Sequence, residues 1–224
     1  CCTGRDEGFA APACASSSTQ SAVASKLSDS QNRAESNMKK HKAGESGPTP
    51  AAVVNFWREA GPQRWFAKDL NFDRALGARF HEAHLMAAQR RLDAWNAEAE
   101  GALALQILLD QVPRNLYRGS AHAFATDPLA RHFALAALDA GLDQQIEPAL
   151  RPFCYMALMH AEDLQLQERC VALFEALGGP SLPHAIEHRD IIRRFGRFPH
   201  RNPLFGRLSS AEEQAFLDTG GFAG

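Results

Sequence analysis

No stretch of this chain approaches the ~20 consecutive apolar residues that a membrane-crossing helix requires, so no membrane association is expected. No run of alternating β-branched residues reads as a strand. Cysteine is scarce: there are five, an odd number with no Cys-x-x-Cys, which argues against a disulfide framework or a zinc ribbon. Cys154 and Cys170 fall inside apolar helical patterns and read as buried free thiols of a cytoplasmic protein. Excess charge is missing too, since a formal net charge of -2 gives no global field to draw in nucleic acid. Any anion must therefore be held by local clustering. A glycine-rich phosphate loop, a Gly-x-Ser-x-Gly elbow and a His-Glu-x-x-His helix are all absent, and no cofactor is expected.

Large apolar residues are also missing from the front of the chain. From Cys1 to about Pro50 it is mainly Ser, Ala, Lys, Gly and Gln, with Phe9 as its sole aromatic, too little apolar area to offset chain entropy. Residues 1–49 are accordingly expected to be a disordered or artefactual extension, and residues 50–224 a single helical domain. The first methionine, Met38, suggests a natural start there; the alternative is a lipid-anchored Cys1 with the Ser-rich tract as its tether.

What is present reads as helix after helix. Thr49-Pro50 make an N-cap and first turn for a helix over 51–59, which Gly61-Pro62 stop. A second helix is predicted from Asn71 to Trp95, with Phe72, Leu76 and Phe80 on one face. The strongly apolar 99–111 segment predicts a central helix, broken by Pro113 because proline lacks the N–H that would bond back to Leu109. Thr126 or Asp127 caps a helix that Gly141 ends, and helices follow over 147–160, 162–177 and 182–195. Ser209 or Ser210, with Glu212 and Glu213, forms a capping box for the last one. The class is all-α, a compact bundle or short superhelix of antiparallel helix pairs without a fixed-period repeat.

Several polar residues sit where apolar ones belong. Leu103, Ile107 and Asp110 are spaced four and three apart, which places a carboxylate on the apolar stripe of the central helix. It needs a partner, and Arg114, Asn115 and Arg118 follow within a turn or loop. Met156, His160 and Asp163 repeat the spacing, with Glu162 adjacent. If the helix runs through, a carboxylate orients the imidazole for acid–base work; if it breaks, Glu162 or Asp163 becomes the acidic first turn of the next helix. His188 shares a face with Ile191, Ile192 and Phe195, after which Gly196 ends the helix. Arg197, His200, Arg201 and Asn202 then follow on a loop pinned by Pro199 and Pro203. Guanidinium forks held this way suit a bound carboxylate or phosphate, and equally suit Asp110, Asp127 or Asp163 as internal partners. A divalent metal would require His160, Glu162 or Asp163, His188 and His200 to converge, and none is expected; His81 and His84 lack a third ligand.

Four blocks carry a resemblance: Asp110-Gln111-Val112-Pro113-Arg114-Asn115-Leu116-Tyr117-Arg118, Ala123-Phe124-Ala125-Thr126-Asp127, Met159-His160-Ala161-Glu162-Asp163, and Arg194-Phe195-Gly196-Arg197-Phe198-Pro199-His200-Arg201-Asn202. From about Val53 onward the chain resembles the bacterial family catalogued as domain of unknown function 924. The resemblance implies a tetratricopeptide-like all-helical fold and no established activity. Val112 stands where the family usually has Phe, and Ala161 where it often has Ser, which speaks against a serine nucleophile beside His160.

Three functional readings follow. In the first, an anionic small molecule or acidic peptide binds Arg114, Asn115, Arg118, Arg197, Arg201 and Asn202. In the second, a hydrolase- or transferase-type enzyme acts on an anionic metabolite, with His160 or His200 as acid or base and Glu162 or Asp163 orienting it. In the third, Asp110, Asp127, His188 and the arginines only hold the helices together. Oligomeric state is left open.

Overall fold

A computed structural model describes residues 47–222, and the expected N-terminal extension, with its Met38 start and its lipid-anchor alternative, lies almost wholly outside them. Every regular element among the described residues is helical. Helix α1 (Pro50–Ala60) begins as its sequence predicts: the Thr49 hydroxyl accepts from the Ala52 N–H at 3.2 Å, and Pro50 occupies a first-turn position that needs no donor. After the single turn α2 (Pro62–Trp65), Asp69 caps α3 (Leu70–Ala88) by accepting from the N–H groups of Asn71 and Phe72. The helix stops short of the predicted Trp95. Arg90 adopts a left-handed φ of 64°, its Nε held on Asp93 at 2.9 Å, and Asp93–Ala97 follow as a separate 3-10 turn.

The central rod departs most from expectation. Helix α4 (Ala99–Gln106), one π-helical turn (Ile107–Gln111) and α5 (Val112–Leu116) run on without the break predicted at Pro113. The widened turn absorbs the proline, with the Val112 N–H reaching back five residues to the Ile107 carbonyl. Side chains then serve the carbonyls of the turn. His84 Nδ1 bonds Leu108 O at 2.8 Å, and the Thr126 hydroxyl donates to Leu109 O at 2.5 Å. Arg114 donates to Asp110 O at 2.8 Å, and Asn115 to Gln111 O at 2.9 Å. Pro113 withholds the donor that Leu109 O would otherwise receive, and Thr126 supplies a replacement. Close approach also dictates Gly101, where a Cβ would lie 2.1 Å from the Trp95 carbonyl oxygen.

Helices α6 (Asp127–Asp139), α7 (Pro152–Met159), α8 (Leu164–Leu177), α9 (Leu182–Phe195) and α10 (Ala211–Asp218) complete the fold. Helix α7 starts at Pro152 rather than at the predicted Glu147, because Pro152 cannot donate to the carbonyl of Pro148 and the preceding turn stays separate. Between α7 and α8 the chain breaks, and Asp163 caps α8 by accepting from the Leu166 N–H at 3.0 Å. Helix α4 is the hub, packed against α1, α6 and α7, while α6 to α9 pack each on the next. An aromatic group anchors the main core: Phe153 meets Trp57 and Trp65 edge-on, with ring centroids 5.4 and 5.0 Å apart. A smaller cluster of Ile191, Ile192 and Phe198, with Phe195, Phe216 and Phe222 against it, seats α10. Cys154 and Cys170 are free and buried. No described helix is long and apolar enough to cross a membrane.

Candidate functional site

The π turn carries Asp110 into the interior, where it is 1 % exposed. An isolated carboxylate there would be strongly penalised, so its partners decide what the region is. One is His160, fifty residues on, whose Nδ1 lies 2.8 Å from Asp110 Oδ1. Another is Arg114, with Nη1 at 3.1 Å from the same oxygen. Arg114 also grips both oxygens of Asp127 at 2.8 and 3.0 Å. Asp127 in turn lies 3.6 Å from Arg201 Nη1, and that Nη1 donates to the His160 carbonyl at 3.1 Å. The five residues close into a ring: Asp110, His160, Arg201, Asp127, Arg114. Gln111 adds a hydrogen bond to the second oxygen of Asp110.

Protonation follows from these contacts. Burial raises the Asp110 carboxyl, but Arg114 and His160 outweigh it and hold the group well below the usual carboxylate range. Burial, then Arg114, lower the His160 imidazole against the opposing pull of Asp110. At neutral pH the pair is therefore carboxylate and neutral imidazole. With Asp110 accepting from Nδ1–H, the lone pair sits on Nε2. Nε2 makes no hydrogen bond among the described residues and belongs to a side chain 15 % exposed.

Arg201 is 5 % exposed and lies between the rings of Phe198 and Phe124, its Cζ 4.4 and 4.6 Å from their centroids. Among the described residues it has no hydrogen-bonded carboxylate. Its Nε is sealed without a partner, and burial followed by Arg114 pushes its pKa down to about 10. His200 Nδ1 and Arg207 Nε are likewise sealed and unpartnered. Burial, with Arg201 next, pushes His200 down to about 4. His188 gives Nδ1 to the His184 carbonyl at 2.7 Å, and burial, with His160 next, takes it to about 3. Phe222 lies edge-on against both of these imidazoles, with ring centroids 4.5 and 5.2 Å away.

Other residues singled out from the sequence lie off the ring and are already partnered. Arg118 holds Asp73 with both forks, at 3.0 and 3.1 Å, and reaches Asn115 Oδ1 at 2.7 Å. Arg197 holds Glu213 at 2.6 and 2.8 Å and the Leu208 carbonyl at 2.9 Å. Asn202 is fully buried and donates to Ser209 Oγ and Glu213. Asp163 is spent on capping α8, so the carboxylate beside His160 is Asp110 rather than the neighbour in sequence. Glu162 faces Arg207, which bonds both its oxygens at 2.6 and 2.9 Å, and accepts from the Phe198 N–H at 2.9 Å. Sequence reasoning missed Arg207 and the Thr126 hydroxyl bond; neither has a spacing signal, because each partner is distant along the chain. No group of three or more metal-ligating side chains gathers among the described residues. His81 instead bonds the Tyr117 hydroxyl at 2.9 Å. A depression of about 380 Å³ lies on the α1–α3 face, bordered by Phe56, Arg64, Asp69 and Phe72, none of which belongs to the ring.

Comparison with known proteins agrees with this architecture. A solved structure of a protein of unknown function from Agrobacterium tumefaciens is 51 % identical and superposes with a TM-score of 0.75, covering 76 % of this chain and 97 % of that one. No curated protein matches. The model of a family described as bacterial protein of unknown function (DUF924) matches residues 53–221, a span that holds every member of the ring, and the chain belongs to that family.

Proposed function

We propose that the ring is an acid–base site for a small anionic ligand, with Arg201 receiving the oxyanion and His160 Nε2 exchanging a proton with it. One observation carries the reading: Arg201, almost fully buried, is the guanidinium of the ring that no described carboxylate hydrogen-bonds, and it bonds the carbonyl of His160, whose Nε2 has no partner among the described residues. A buried guanidinium with donors that no described carboxylate hydrogen-bonds has capacity left for an incoming anion. Asp110 fixes the tautomer of His160 and orients its ring, the role of the third member in nucleophile–base–orienter arrangements. With Ala161 beside it there is no adjacent hydroxyl to activate, so His160 would take its proton from the ligand or from water.

The ligand class narrows to carboxylates and phosphates, which a guanidinium fork matches in shape. The reading assigns no cofactor, nucleic acid or membrane partner, and the buried thiols suit a cytoplasmic setting. A purely structural ring is the second reading, favoured by the saturation of Arg118 and Arg197 within the fold. Thermal-shift titration with inorganic phosphate and with acetate separates the two. A concentration-dependent rise in melting temperature that disappears in Arg201→Met supports the site. Identical responses from the two proteins, or none from either, leave the structural reading.

A further inference from the structure

Helix α10 ends in a reversal of the chain. The Gly221 N–H donates to Phe216 O at 2.9 Å and the Gly220 N–H to Leu217 O at 3.1 Å, around Gly220 in a left-handed φ of 81°. Gly221 must lack a side chain there, because a Cβ would lie 2.5 Å from Phe216 O and 2.6 Å from the Phe216 ring. The reversed chain seats the half-buried Phe222 edge-on against two imidazoles at once, with centroids 4.5 Å from His188 and 5.2 Å from His200. Phe198 packs on the same two rings at 5.5 and 5.7 Å. Among the described residues neither imidazole is bonded to a carboxylate: His188 uses Nδ1 on the His184 carbonyl, and His200 Nδ1 is sealed without a partner. The charged and titratable groups facing the pair are His160, Arg201, Arg207 and Glu162, and Glu162 is already held by both forks of Arg207. A proton on either ring therefore adds charge to an apolar contact near two guanidiniums, a cost that falls if Phe222 withdraws and water enters.

We propose that Gly220–Phe222 is an acid-released latch: Phe222 stays seated while His188 and His200 are neutral, and swings away on the glycine pair when either takes up a proton. Release admits water and charge to His188, whose ring centroid is 6.1 Å from that of His160. Burial first, then His160 for His188 and Arg201 for His200, hold the seated imidazoles at about 3 and about 4, below the ordinary 6.5. The closed state refuses protons that the open one binds, so closure is fully favoured above about 6.5 and loses ground as pH falls towards 4 and 3.

NMR of the full chain through a pH titration, followed in parallel by circular dichroism, is the test. Nuclear Overhauser contacts from the Phe222 ring to His188 and His200 should vanish at a higher pH than the one at which helicity is lost. Phe222→Ala should raise the titration midpoints of both histidines by about one pH unit or more. Gly221→Ala keeps the phenyl ring but spoils its seat, and should raise them too. Both changes lie outside every helix, and circular dichroism at pH 7 confirms that the variants are folded. Contacts that persist until the helices melt, or midpoints that neither substitution moves, overturn the latch.

Discussion

Arg197 and Arg201 sit four residues apart on one loop and look interchangeable in the sequence. Arg197 has both forks on Glu213, which is itself the capping-box residue of α10, together with a carbonyl. Arg201 lies deeper and has less: one carbonyl, two aromatic faces and a carboxylate beyond hydrogen-bond reach. A guanidinium saturated by its own fold is a fastening. One that is buried with only a carbonyl to bond and its nearest carboxylate at 3.6 Å is the one for which we propose a ligand. Donor count alone does not separate the two; the carboxylates that reach each of them do.

The largest effect is expected at the ring's deepest member. Asp110→Asn strips the carboxylate from Arg114 and His160 and should cost about 3–5 kcal/mol in urea unfolding; a loss under about 1 kcal/mol would mean the ring is not held by this charge. Acid comes next. His188 and His200 are lowered from 6.5 to about 3 and about 4. Above about 6.5 neither state binds their protons and stability is full. Below it the unfolded chain takes up protons that the fold refuses, so stability should fall as pH drops towards 4 and 3, by at most about 1.4 kcal/mol per pH unit for each histidine. His188→Gln should flatten part of that slope in denaturation curves at pH 7, 5 and 4, and an unchanged slope would place the proton uptake elsewhere. Thr126→Val removes the hydroxyl that serves Leu109 O beside Pro113 and should cost about 1 kcal/mol, read as a lower urea midpoint at constant m-value. The smallest change in stability is predicted for Arg201→Met, within about 1 kcal/mol, because Asp127 keeps both forks of Arg114. Arg197→Ala sharpens the contrast: it should lower the melting temperature and leave the phosphate response intact, the reverse of Arg201→Met.

Local chemistry was legible where the partners are close in sequence. Thr49-Pro50 opening α1, Gly196 ending α9 with φ 70°, and the Ser210–Glu213 box opening α10 are each settled within a few residues. Pro113 misled because its compensation comes from Thr126 on another element, so a rule about local donors predicted a break where a π turn formed. His160 was legible in part, since the alternative of a break with an acidic residue opening the next helix is the one that forms. The run-through alternative would have given it Asp163; with the break its partner is Asp110, fifty residues away, which no spacing signals. That polar residues on apolar faces had to meet partners was readable from burial cost; which partners meet is set by helix packing, and a single sequence does not contain it in readable form.

The central claim is that burial and Arg114 keep His160 neutral while Asp110 fixes its Nδ1–H tautomer, and that Arg201, bonded to the His160 carbonyl, accepts an anion. Long-range proton–nitrogen NMR of the histidine side chains, followed through a pH titration with and without inorganic phosphate, tests it most directly. The account predicts an Nδ1–H tautomer for His160, a pKa below 6.5, and a phosphate-dependent shift of its ring nitrogens that is absent in Arg201→Met. An Nε2–H tautomer, a pKa above 6.5, or ring nitrogens indifferent to phosphate would contradict it.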